Sequence, residues 1–154
     1  MTESDERGIA LLVAVVALGV IGALVGGIFF AARLEQQSGQ NALFAVQAGE
    51  AAEAGLSEAV ATLDPAALEP LAVGGTPLDL GTFILPGSAG ASRQVSRLTQ
   101  HLFLIRARGI REGAGGSVLA TRSVGLLVRL RATPGGEAPG GIARVAERGW
   151  VQIY

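Results

Sequence analysis

The sequence predicts an α+β protein: a long N-terminal helix, membrane-spanning in its first half, packed on a small antiparallel β-sheet of three to four strands. Three observations carry this expectation. An uncharged apolar run of 24 residues extends from Ile9 to Ala32, enough to cross a ~30 Å hydrocarbon layer as a helix. A stretch with helical period follows it to Leu63. Beyond residue 95, apolar and polar positions alternate with the two-residue period of half-solvated strands.

With 154 residues, the chain holds one compact domain at most, and the apolar run withdraws part of it from any water-soluble core. There is no cysteine, hence no disulfide framework and no thiolate chemistry. All 12 basic residues are arginine. The net charge of −1 hides an asymmetry. Leu34 to Ala89 carries seven acids and no arginine, whereas Gly90 to Tyr154 carries ten arginines against three acids. Two halves of opposite sign attract each other within one fold, or head to tail between neighbouring copies.

Taken in order, residues 1–8 form a hydrophilic leader in which Glu3, Asp5 and Glu6 outweigh Arg7. A removed secretory signal is disfavoured, because the start is acidic and the apolar core too long. The candidate cut after Ala32 would also place the bulky Phe30 three positions back. Within the span of residues 9–32, Gly19, Gly22 and Gly26 make the small-xxx-small pairs Gly19/Ala23 and Gly22/Gly26, which permit close helix–helix approach. The plain alternative is that glycine is common in membrane helices.

After Arg33 the helical period holds, in a soluble domain expected over residues 33–154. Phe44, Ala48, Ala52, Leu56, Ala59/Val60 and Leu63 make one apolar stripe, with Gln47, Glu50, Glu53, Ser57 and Glu58 mostly off it. Asp64-Pro65 should end the helix near residue 63, with Asp64 capping a short second turn. Residues 64–94 read as a connecting loop rich in Gly and Pro, with Leu80 to Leu85 as one short strand inside it. The sheet is then expected over residues 95–154. Phe103, Ile105 and Ala107 alternate with Arg106 and Arg108. Val118, Ala120, Val124, Leu126, Val128 and Leu130 form a second inward set, interrupted by Arg122. A glycine hairpin at 111–116 joins these strands, and a loop at 134–141 leads to a last strand from Ala143 to Tyr154. Trp150 and Tyr154 are expected on the sheet edge. The apolar sheet face needs a cover, and the stripe from Phe44 to Leu63 is the only candidate.

These residues resemble the type IV pilin-like proteins, and among them the PilX-type minor pilins. Arg7-Gly8-Ile9 ahead of the span is similar to a prepilin peptidase site, which implies cleavage after Gly8 and methylation of the Ile9 amine. Ala52-Glu53-Ala54-Gly55-Leu56 resembles the signature just beyond the span of PilX-like proteins. Phe103 to Gly109, the glycine loop and the strand to Leu130 are similar to that family's central hairpin. The resemblance implies inner-membrane insertion, a periplasmic domain, and other pilin subunits as partners. It departs at Val13, where major pilins carry the glutamate that meets a neighbour's free amine. An ammonium buried without an opposite charge costs several kcal/mol. Family members lacking that glutamate act at the tip or as initiators.

Little points to catalysis, and no cofactor or metal is expected. His101 is the only histidine, the serines carry no nucleophile-elbow motif, and without lysine there is no Walker phosphate loop. Glu50 and Glu53 fit a solvated helix face better than an acid/base pair. The leading expectation is therefore a structural subunit that works by packing. A second is a single-pass inner-membrane protein with a permanent anchor and a periplasmic binding domain. A third is a pilin-like competence factor whose arginines touch DNA, weakened by the scarcity of aromatics for base stacking.

Overall fold

The computed structural model describes residues 3–132, 139–145 and 149–153. Helix α1 runs from Glu3 to Thr62. It passes through two compact units, residues 1–40 and 41–154. In the first, the helix from Ile9 onward is long and apolar enough to cross a membrane. Its large side chains lie bare, Leu18 at 68% and Phe29 at 71% exposure.

In the second unit, the final turns of α1 cover an antiparallel sheet of six strands, more than the three or four expected. They are β1 (Leu78–Leu85), β2 (Ala89–Arg97), β3 (Leu102–Glu112), β4 (Val118–Ala132), β5 (Pro139–Arg144) and β6 (Trp150–Ile153). The first five lie side by side in sequence order, while β6 shares with β5 the outer edge of the long β4. The helix stops as expected. Asp64 is extended before Pro65, and its side chain accepts a hydrogen bond from Ala66 N at 2.9 Å. A 3-10 turn over Pro65–Leu68 then delivers Leu68, fully buried, to the core.

Two expectations are corrected. Residues 64–94 are not one loop but hold β1 and most of β2. The period of β2 is hidden because its inward row reads Ala91, Arg93, Val95, with an arginine where an apolar residue belongs. The last strand, expected unbroken from Ala143, is instead β5 and β6, with Leu127 bonded to both Val145 and Gly149 where they part. Trp150 sits opposite Leu126 but is 54% exposed, and Tyr154 lies outside the described residues.

The predicted stripe is the covered face. Ala48, Ala52, Leu56 and Ala59 are buried, and Leu56 and Ala59 pack with Val95, Phe103, Ile105, Leu126 and Val128. Phe44 and Leu63, at its two ends, are half-buried. Inward residues of β3 shrink along the strand, from Phe103 through Ile105 and Ala107 to Gly109. That taper lets the helix backbone come down onto the sheet at one end.

Candidate functional site

The residues singled out in the sequence fall into three groups. Gly8 and Ile9 lie inside α1, with the Ile9 side chain exposed. Val13 is likewise exposed, four residues on. Among the described residues, a Cβ added at Gly19, Gly22 or Gly26 would meet nothing within 4 Å, so no described contact calls for glycine there.

The Ala52 to Leu56 segment is different, because it packs within its own unit. Ala52 and Leu56 are fully buried, Ala54 is half-buried, and Glu53 points to solvent. Gly55 is buried, and a Cβ built on it would stand 2.8 Å from the Ala91 Cβ. The tightest approach was not picked out from the sequence. A Cβ at Gly109 would come within 1.9 Å of the Ala48 carbonyl oxygen and 2.7 Å of the Ala52 nitrogen. Ala91 and Gly109 are paired across β2 and β3, so both close contacts fall on one patch. The signal for Gly109 was the falling side-chain size along the inward row of β3.

Seven arginines of the sheet domain sort into two classes by geometry. Three tie elements together. Arg93 forms an ion pair with Glu58 of the helix, donates to the Leu80 carbonyl at 2.9 Å, and lies over the Phe83 ring at 5.8 Å. Arg97 donates to the carbonyls of Glu69, Leu71 and Gln100 at 2.8–3.1 Å and lies 5.4 Å from the Phe103 ring centroid. Arg111 reaches the Gln47 side chain at 2.8 Å and also bonds the Gly87 carbonyl in the β1–β2 turn.

The second class is free. Arg106 and Arg108 of β3 and Arg129 and Arg131 of β4 are exposed, and among the described residues none has an ion pair. Registers set Arg108 between Ser92 and Ser123, and Arg106 between Gln94 and Gly125. These rows alternate with the buried ones and so belong to the face turned away from the helix. His101 is exposed in the bend before β3. Attraction between the acidic and basic halves is thus met inside the fold at one described pair, Glu58–Arg93. Compared with protein-family models, curated proteins and solved structures, the chain matches none.

Proposed function

We propose that the protein is a structural pilin-like subunit of the PilX-type minor class, serving a type IV pilus or a related secretion filament. One observation supports the reading most: a single helix has an apolar, uncovered first part and a last part built into a sheet domain. Such a rod suits two successive environments, inner-membrane lipid and then a bundle of similar helices. Gly19, Gly22 and Gly26, which no contact among the described residues requires, leave room for a neighbouring backbone in that bundle. Prepilin peptidase would cut after Gly8 and expose the Ile9 amine. The sheet domain would then face the periplasm or the filament surface.

Val13 supports a place at the tip or as an initiator. With no carboxylate at this position, the chain offers no counter-charge to a free amine buried beside it in the bundle, and burying such an amine alone is costly. A position at the tip, or as an initiator, avoids that cost. Val13 and the acidic leader also favour the second reading, a permanent single-pass anchor carrying a periplasmic binding domain. Intact mass separates the two. Membrane-extracted protein lacking residues 1–8 and carrying one added methyl group is expected for the subunit, and an uncut chain for the anchor. Gly8→Leu should block the cut; unchanged maturation would remove Gly8 from the site.

A further inference from the structure

We infer that the free arginine face of the sheet receives the acidic outer side of α1 from a second copy of the chain. The face is described by Arg106 and Arg108, exposed and unpaired among the described residues, with Arg129 continuing it on β4. Three of the four residues flanking the arginine pair are small, Ser92, Ser123 and Gly125, so little stands between the guanidinium groups and an approaching helix. The occupant is indicated by charge. Glu50 and Glu53 are exposed on the side of α1 away from its buried row, and neither has an ion pair among the described residues.

The spacings agree. Arg106 and Arg108 share one strand face, about 7 Å apart along β3. Glu50 and Glu53 are separated by about 5 Å along the helix axis and lie on neighbouring ridges. Two arginine–carboxylate contacts can therefore form together, each with charge-assisted geometry. Because donor and acceptor surfaces differ, the contact is heterologous and leaves an open face on each end of the pair. One exposed ion pair adds little by itself. The two acting together between chains already confined to one membrane need supply only register. The inference rests on the subunit reading and deepens it: it names a second copy as the partner of the sheet domain's outer face.

The test uses the full chain in detergent, which has no cysteine of its own. Ser57→Cys and Ser123→Cys, introduced together and bridged by a short bis-maleimide, should give a ladder of linked chains. Each single variant should not. The ladder should fade from about 0.1 M to about 1 M salt, as the screening length contracts from about 10 Å to about 3 Å. E50R/E53R and R106E/R108E should each abolish it, and the four-fold swap in one chain should restore it. Persistence in both reversals, or failure of the swap, overturns the contact. Salt-dependent retention of duplex DNA by the arginine face with no ladder also overturns it, in favour of nucleic acid. A missing ladder from a chain that still loses residues 1–8 and enters fibres sinks the contact alone. A ladder from a chain that is never processed sinks the subunit reading alone.

Discussion

At the residue scale, the glycines of this chain do opposite jobs in different places. Gly109 exists for a contact inside the fold, since any side chain there would strike the helix backbone at Ala48 and Ala52. Overpacking against backbone cannot be relieved by rotating a side chain, so helix and sheet must separate. Gly109→Ala should therefore cost at least about 1–3 kcal/mol. A Cβ at Gly22 would meet nothing among the described residues, and Gly22→Ala should leave the sheet domain's stability unchanged. Urea unfolding of both variants, followed through the single tryptophan, Trp150 in β6, makes the comparison. Equal midpoints for Gly109→Ala and the parent would mean the helix does not sit on β3 as described.

At the element scale, β2 is held by a polar fastening where a strand would ordinarily use an apolar residue. Arg93 is 9% exposed, so removing Glu58 leaves a cation with the Leu80 carbonyl and the Phe83 ring beside it but no counter-charge. A deeply buried pair broken this way costs more, but the Glu58 side chain is 34% exposed and water screens part of the loss. Glu58→Ala should lose about 1–3 kcal/mol, whereas Glu53→Ala, at an exposed position, should stay within about 0.5 kcal/mol. Adding Arg93→Met to Glu58→Ala should cost less than the two single losses combined, because no unpaired cation remains. Full additivity would deny the pairing. The same arginine explains what the sequence hid. Residues of α1, β3 and β4 follow their periods, and Ala48, Ala52, Leu56, Phe103, Ile105, Leu126 and Val128 could be assigned to the core unaided. In β2 the inward arginine breaks the alternation, and in β1 a bulge between Asp79 and Thr82, with Gly81 at φ +77°, does the same. Ion-pair partners and bulges depend on what lies across the fold, and a local pattern does not contain that information. Of the candidate site, the signature's Ala52 and Leu56 were legible as core, but the division of arginines into fastened and free ones was not.

At the scale of the whole molecule, the two units differ in what becomes of their apolar side chains. Every fully buried hydrophobic residue described lies between Ala48 and Val128. From Ile9 to Leu34 the large apolar residues are exposed, each by 46% or more. Nothing in residues 1–40 contributes to the described core, so that segment's apolar surface must be satisfied by lipid, detergent or other helices. Residues 41–154 expressed alone should then be soluble without detergent and unfold in one cooperative step. Their urea midpoint should match that of the full chain in micelles, read through Trp150 in both. The helix they retain begins short of its packing row, at Asn41, and Gly49 and Gly55 weaken it, so its stability must come from the sheet beneath it. A fragment that aggregates, or melts far below the parent, would show that the domain does not hold its helix on the sheet unaided.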